Sequence, residues 1–162
     1  MGADLLCYVV GFFFDSLEAP AKVALIRKNH PPWQQGLLNG IGGHVKNDET
    51  PLEAMRREFK EEAGCYCSEW EYALLLNAPG ILLYVFRASG SVDLLHSMTD
   101  ELIEVCDLDG AWDVQCVTNL RWIIPLLLDD TISLPLRIDC SKLPGDDAQK
   151  SSLRPDDKGG VE

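Results

Sequence analysis

Three carboxylates near the middle of the chain have the spacing of a cation site. Glu58, Glu61 and Glu62 lie at positions i, i+3 and i+4 of a segment with helix-forming composition. At about 100° per residue, these side chains share one flank of a helix. Like charges at this spacing repel by about a few tenths of a kcal/mol per pair, so a bound cation would stabilise the cluster. Carboxylate oxygens suit Mg²⁺ or Mn²⁺, ions that also bind substrate phosphates.

The acidic cluster ends a longer pattern that begins at Gly43. The pattern reads glycine, five residues, glutamate, seven residues, arginine–glutamate, an apolar residue, any residue, two glutamates, any residue, glycine and an apolar residue. It resembles the signature of the Nudix hydrolases, with every fixed position filled in register. The matching residues are Gly43, Glu49, Arg57, Glu58, Phe59, Glu61, Glu62, Gly64 and Cys65. The strand pattern around this segment extends the resemblance to roughly residues 4–140.

The resemblance implies an enzyme that cleaves a phosphoanhydride with bound Mg²⁺ or Mn²⁺. Glu58, Glu61 and Glu62 are then the expected metal ligands, together with the backbone carbonyl of Gly43. Bound metal ions neutralise phosphate charge and lower the pKa of water, and any of the three glutamates could orient or deprotonate that water. Arg57 is expected to steer the carboxylate of Glu61, its i+4 neighbour, rather than touch the substrate.

Two further acids complete the expected catalytic group. Members of the family often draw one acid from a later loop, as a base or a ligand. The candidates here are Asp100, Glu101 and Glu104, and Glu101 is preferred. The alternative interpretation is that all three are surface charges beside a strand. Glu49 is expected to support the loop that follows Gly43 by hydrogen bonding.

The segments on either side resemble parts of the MutT-type oxidised purine nucleoside triphosphatases. Residues 38–44 are similar to the Asn-Gly-x-Gly-Gly entry of those enzymes, in which the asparagine contacts the base, and Asn39 has that place. Residues 121–128 are similar to their Trp-x-x-Pro-Leu-Leu segment. The acidic pair that reads the purine there is replaced by Thr118 and Asn119, which weakens any inference of oxidised guanine. An Asn-Gly pair is also a common turn.

Four residues are therefore predicted to bind substrate, namely Asn39, Asn119, Trp33 and His44. Trp33 could stack on a base, although aromatic residues more often belong to the core. His44 follows the first glycine of the pattern and could approach a phosphate, or it could be a solvent-exposed loop residue.

The predicted activity is cleavage of a nucleoside triphosphate to the monophosphate and pyrophosphate. Within the same enzyme class, ADP-ribose, a dinucleoside polyphosphate or another nucleoside diphosphate derivative is the alternative substrate. A nucleotide-binding module without catalysis is a different class of function. Such modules usually lose acidic residues of the signature, whereas all are present here.

Composition limits the remaining possibilities. A chain of 162 residues is expected to form one domain, and residues 1–143 are assigned to it, with a polar and disordered tail over residues 144–162. The formal charge of −12 argues against stable nucleic-acid binding. Six cysteines without a zinc-type spacing suggest reduced thiols in the cytoplasm. A monomer or a homodimer, without membrane association, is expected.

The elements that must position these residues can be placed from local patterns. β-rich runs are predicted over residues 5–15, 22–28, 69–77, 81–88, 101–107 and 131–138, and helices over residues 51–63 and 120–128. Thr50, Pro51 and Glu53 have the pattern of a capping box, and Gly64 is a natural helix end. The apolar run at residues 5–14 lacks a preceding Lys or Arg, so we interpret it as a buried strand rather than a signal peptide. The predicted class is α+β, and the resemblance implies an α/β/α sandwich with a mixed sheet and a loop–helix–loop unit.

Overall fold

Eight strands form one mixed sheet in the part of the chain that the computed structural model describes, residues 4–109 and 115–140. The strands are β1 (Leu6–Phe14), β2 (Lys22–Arg27), β3 (Leu38–Asn39), β4 (Ile41–His44), β5 (Glu71–Ala78), β6 (Ile81–Ser89), β7 (Leu102–Asp107) and β8 (Leu136–Asp139). Their order is β3-β2-β1-β6-β5-β8, while β4 also pairs with β1 and β7 with β2. The β1–β6 and β5–β8 pairs are parallel, and the other pairs are antiparallel.

A helix covers each face of the sheet. The two helices are α1 (Pro51–Ala63) and α2 (Leu120–Leu128). Successive side chains of a strand point to opposite faces, and β1 supplies both cores: Phe12 packs with the α2 side and Phe13 with the α1 side. Because both faces are covered, β1 has a nearly continuous apolar sequence rather than an alternating one. The three layers confirm the predicted α+β sandwich.

Helix α1 begins and ends where its local sequence predicts. The Thr50 side chain accepts a hydrogen bond from the Glu53 amide at 3.3 Å, and the Glu53 carboxylate accepts from the Thr50 amide at 2.7 Å. Gly64 closes the helix in the left-handed conformation, with φ of +68°, which glycine adopts at little cost. The capping box and the glycine stop are both confirmed, so the position of the acidic flank is fixed at both ends.

The aromatic core holds α1 against the sheet. The Phe59 ring lies 5.0 Å from the ring centroid of Phe13 and 5.1 Å from that of Trp70. Phe59 is fully buried, whereas its neighbour Glu58 lies on the flank that faces β4. Packing of this one residue therefore fixes the rotation of the helix that carries the carboxylates.

The last predicted strand is shorter than expected. Residues 131–138 were predicted to be extended, but β8 begins only at Leu136. The Asp129 carboxylate accepts hydrogen bonds from the Thr131 amide at 2.9 Å and from its hydroxyl at 2.6 Å, which holds a turn at this point. The predicted disordered tail, residues 144–162, lies outside the described residues. Within the described ranges, no helix is long and apolar enough to cross a membrane.

Candidate active site

The backbone of β4 meets the acidic flank of α1 at two glycines. A Cβ atom at Gly43 would lie 2.5 Å from Oε1 of Glu58 and 2.6 Å from its Cδ. The Gly42 amide donates to Oε2 of Glu62 at 3.3 Å. Only a residue without a side chain leaves room for the Glu58 carboxylate at Gly43, which explains the glycine at this position of the pattern.

Arg57 joins several acidic groups around itself. Its Nε and Nη2 donate to the two oxygens of Glu49, at 2.9 and 2.5 Å. Its Nη1 donates to Glu58 at 2.6 Å and to Glu61 at 3.2 Å, and Nη2 also donates to the His44 carbonyl at 3.1 Å. We expected Arg57 to steer mainly Glu61, but its contacts with Glu49 and Glu58 are closer.

The Arg57–Glu49 pair ties the loop to the helix. Hydrogen bonds from Arg57 lower the pKa of Glu49 to about 2, and a bond from the Lys46 amide at 2.9 Å acts in the same direction. The same pair raises the pKa of Arg57. Both groups are therefore fully charged near neutral pH, and Glu49 has the loop-supporting contact that the sequence predicts.

Glu62 differs from the other acids in its surroundings. Burial raises its pKa to about 7, and the nearby carboxylates of Glu58 and Glu101 act in the same direction, whereas Lys28 opposes them. Three acids and one lysine thus influence one another in a partly buried space. A negative site of this kind is stabilised by an added cation.

The donor set of this region fits a hard divalent cation. In residues 4–109 and 115–140, no three acidic, histidine or cysteine side chains converge into a complete metal site. The flank nevertheless offers the carboxylate oxygens of Glu58 and Glu62 beside the β4 backbone, with Glu61 joined to Glu58 through Arg57. Mg²⁺ is commonly bound by one or two carboxylates and keeps several waters, so a preformed cage of three side chains is not required.

Of the later acids, Glu101 alone is buried, with 3% of its surface exposed. Its Oε2 accepts from Nζ of Lys28 at 2.5 Å, and its Oε1 accepts from the Asn29 amide at 2.7 Å. Burial would raise the pKa of Glu101, but the hydrogen bonds from Lys28 and the Asn29 amide outweigh it and leave the pKa below its ordinary value. Asp100 lies beside it and accepts from the Asn29 side chain at 3.1 Å. Glu104 lies opposite Leu25, which belongs to the α2 side of the sheet, and it pairs with Arg27.

The loop that carries Glu101 also completes the end of α1. The His96 amide donates to the Ala63 carbonyl at 3.0 Å, and the Met98 amide donates to the Glu62 carbonyl at 3.1 Å. The last carbonyls of a helix have no hydrogen-bond donor within the helix itself, so these two amides satisfy them. The acidic helix and the later acid are therefore connected by one short segment, residues 96–101.

The predicted base-contacting residue lies on the same face of the sheet as α1. Asn39 pairs with Ile26, which belongs to the core beneath α1. Its Nδ2 donates to Oε1 of Gln34 at 2.9 Å, and its Oδ1 accepts from the Gly40 amide at 2.8 Å.

The other predicted substrate residues have different surroundings. Trp33 is half-buried and packs against the α2-side core. His44 is exposed, and its ring lies edge-on to Tyr8 with centroids 5.4 Å apart. Asn119, at the start of α2, has a buried Oδ1 atom that accepts no hydrogen bond from the described residues.

Two residues of this region were not identified from the sequence. Lys28 contacts Glu101 across 73 positions of the chain, and Gln34 contacts Asn39 from a short 3₁₀ turn. A lysine at the end of a strand and a glutamine in a loop are unremarkable as residue types. Neither belongs to a recognisable spacing, so only the folded structure identifies them.

Comparisons with known proteins agree with this architecture. The family model described as NUDIX domain matches residues 9–118. A search of curated proteins finds no significant match. Among solved structures, the chain is similar to the MutT protein from Bacillus halodurans, with 20% identity, a TM-score of 0.63 and coverage of 85% of this chain and 91% of that one.

Two other solved structures illustrate the range of similar proteins. An ADP-ribose pyrophosphatase from Streptococcus suis has 17% identity and a TM-score of 0.61, over 82% of this chain and 98% of that one. A MutT/nudix family protein from Enterococcus faecalis has 20% identity and a TM-score of 0.59, over 66% of this chain. The chain spans only 45% of the length of that last protein. At these identities the likeness is one of fold.

Proposed function

Because the chain belongs to the NUDIX domain family and is a hydrolase of phosphoanhydrides, we propose that its substrate is a nucleoside triphosphate, which it cleaves to the monophosphate and pyrophosphate. The observation that carries this proposal is the approach of Glu58 to Gly43, with Glu62 on the neighbouring amide and Arg57 joining Glu58 to Glu61. This arrangement places carboxylates against a backbone that can also supply ligands.

Glu58, Glu61 and Glu62 would hold Mg²⁺ or Mn²⁺, with the Gly43 carbonyl as a further ligand. When bound, the cation supplies neutralisation of phosphate charge and a lowered pKa of water. Arg57 acts through the acids: its contacts hold Glu58 and Glu61 in place, and it has no need to touch substrate.

In the reaction, a water oxygen forms a bond to phosphorus, the bridging P–O bond breaks, and pyrophosphate leaves. The proton of the water passes to a carboxylate. Glu101 stays our proposal for this acid, but both its oxygens already accept hydrogen bonds. It would have to release Lys28 before taking the proton, which would free the Lys28 ammonium group to approach a phosphate.

Asn39, Asn119, Trp33 and His44 are proposed to contact the substrate. Asn119 is supported by its buried acceptor, which accepts no hydrogen bond from the described residues, since such a group is costly unless a ligand or water satisfies it. Asn39 is supported by its place on the α1 side of the sheet. A nucleoside diphosphate derivative is the alternative substrate, because the similar Streptococcus suis protein is named an ADP-ribose pyrophosphatase.

We also propose that the enzyme works in the cytoplasm, as a monomer or homodimer. All six cysteines are described, and none forms a disulfide. Free thiols of this number suit a reducing compartment. An acidic chain of net charge −12 is poorly suited to stable nucleic-acid binding.

The test is a panel of nucleoside triphosphates and ADP-ribose, assayed for product release with Mg²⁺ and with Mn²⁺. The Glu61→Gln variant is expected to lose about 100-fold or more in kcat while remaining folded, because it loses a charged metal ligand. Glu69→Gln, which changes an exposed acid outside the signature, is the matched control and should keep full activity. Unchanged turnover in Glu61→Gln would refute the ligand assignment, and equal rates for all triphosphates would argue against discrimination by Asn39.

A further inference from the structure

The loop between β2 and β3 is closed by its own backbone. The Lys28 amide donates to the Leu37 carbonyl at 2.9 Å, and the Gly36 amide donates to the Lys28 carbonyl at 2.8 Å. Gly36 has φ of +79°, which allows the chain to reverse here. Within the loop, the Gln34 amide donates to the Pro31 carbonyl at 2.9 Å. The backbone of Gln34 is therefore held in one place relative to the sheet.

The hydrogen bonds of Asn39 determine which way its carboxamide is oriented. The Gly40 backbone amide can only donate, so the atom that faces it at 2.8 Å must be the oxygen of Asn39. The nitrogen Nδ2 then faces Gln34 and must donate, so the Gln34 atom at 2.9 Å must be its oxygen. Gln34 is thus left with Nε2 pointing away from this bond, and no described residue accepts a hydrogen bond from it.

The contact between Asn39 and Gln34 leaves mainly N–H donors of the two side chains available to a ligand. Two carboxamides carry four N–H bonds, and one is used between Asn39 and Gln34, so three remain. Each oxygen has already accepted one hydrogen bond. A single asparagine reads adenine by using its oxygen and its nitrogen together on one base edge. The fixed orientation of Asn39 is poorly suited to that contact and better suited to a base edge that accepts.

We propose that Gln34 is a positioning and specificity residue, which fixes Asn39 and together with it selects a base carrying a carbonyl oxygen. In a purine, this base carries an oxo group at C6, so that the oxygen O6 and the ring nitrogen N7 together form an edge of two acceptors. Adenine instead presents the acceptor N7 beside an amino group that donates. The inference rests on the proposed function, since it concerns the base of the proposed substrate.

The position of the pair supports this role. Asn39 lies opposite Ile26 in the sheet, and Lys28 follows two residues later, on the same face. Lys28 in turn contacts Glu101 and influences Glu62. Asn39 and the acidic flank therefore lie on one side of the sheet, and Lys28 contacts one of the acids there. A nucleotide with its base at Gln34 would extend its phosphates towards the acids.

The experiment measures binding of inosine and adenosine 5′-monophosphates, which differ at C6, by titration calorimetry without turnover. Wild type is expected to bind the inosine compound about tenfold more tightly, the effect of one base contact. Gln34→Glu keeps an oxygen that accepts from Asn39 but replaces the Nε2 donors with a second carboxylate oxygen. The preference for the inosine compound over the adenosine compound should therefore fall to about onefold or reverse. Gln35→Glu makes the same change at the exposed neighbouring residue and should leave the preference unchanged.

Equal binding of the two compounds by wild type, or binding of neither at millimolar concentration, would overturn the proposal. So would an equal loss of preference in Gln34→Glu and Gln35→Glu, because that result would show a charge effect rather than a contact. Hydrolysis of the corresponding triphosphates is measured separately. Hydrolysis of both triphosphates at equal rates, with no preference in binding the monophosphates, would leave the proposed function intact and refute the proposed role of Gln34. A binding preference for the inosine compound without hydrolysis of any triphosphate would support the role of Gln34 and refute the proposed function.

Discussion

We expect the ion pair between Arg57 and Glu49 to stabilise the folded protein, and the structure indicates by how much the free energy of unfolding should fall when the pair is broken. Glu49→Gln removes the charge but keeps an oxygen that can accept from Arg57. The pKa of Glu49 falls from its ordinary 4.5 to about 2, which corresponds to about 3.4 kcal/mol at about 1.36 kcal/mol per pKa unit. The pair lies at the protein surface, although only 12% of the Glu49 side chain and 21% of the Arg57 side chain are exposed. Screening by solvent reduces the expected loss to about 1–2 kcal/mol at pH 7.

The pH dependence gives this prediction a second, independent feature. Because the pKa of Glu49 is lowered by folding, its stabilising effect is complete above about pH 4.5 and is lost as the pH falls towards 2. The difference between wild type and Glu49→Gln should therefore be constant from pH 7 to about 5 and shrink below that. Urea unfolding at a series of pH values measures it, and Glu18→Gln, at an exposed residue, is the control. A loss below about 0.5 kcal/mol at pH 7, or one that persists unchanged near pH 3, would refute the reasoning.

Two further predictions concern the acidic flank itself. Burial raises the pKa of Glu62 to about 7, so its ionisation destabilises the metal-free protein as the pH rises from about 4.5 through 7. Glu62→Gln should therefore raise the free energy of unfolding by about 1 kcal/mol or more at pH 8 in a chelator, with no gain at pH 4.5; a gain that is the same at both pH values would contradict this cause. Gly43→Ala should place its methyl group 2.5 Å from Oε1 of Glu58 and lower kcat by about tenfold or more, since displacement of a reacting group by about 1 Å is costly. Circular dichroism should show a folded protein, and full activity in Gly43→Ala would argue against the close contact.

Sequence reasoning succeeded where the determining interactions are local. Thr50, Glu53 and Gly64 lie within a few positions of the helix ends that they define, so the limits of α1 could be predicted from their types. The spacing of Glu58 and Glu62 places them on one flank in any helix. These features need no knowledge of the rest of the chain.

Contacts between distant segments could not be predicted in this way. Glu101 was one of three plausible acids, and only its burial beside Lys28 distinguishes it. β8 pairs with the distant strand β5 only from Leu136 onward, after the turn that Asp129 holds, and residue propensities do not express where that pairing begins. Gln34 is only five positions from Asn39, yet neither residue type indicates the contact, because it depends on how the loop folds back on itself.

The short segment from His96 to Glu101 has a consequence for local unfolding. Near one end of the segment, the Met98 amide donates to a carbonyl in the last turn of α1. At the other end, the Glu101 carboxylate accepts hydrogen bonds from Lys28 and Asn29, in the turn after β2. Regions joined by such bonds open as one cooperative unit. We therefore expect the C-terminal turn of the acidic helix and the Lys28 turn to open together, so that amide protons in both places report a similar free energy of opening. An insertion within this segment would separate the two openings while leaving the sheet intact.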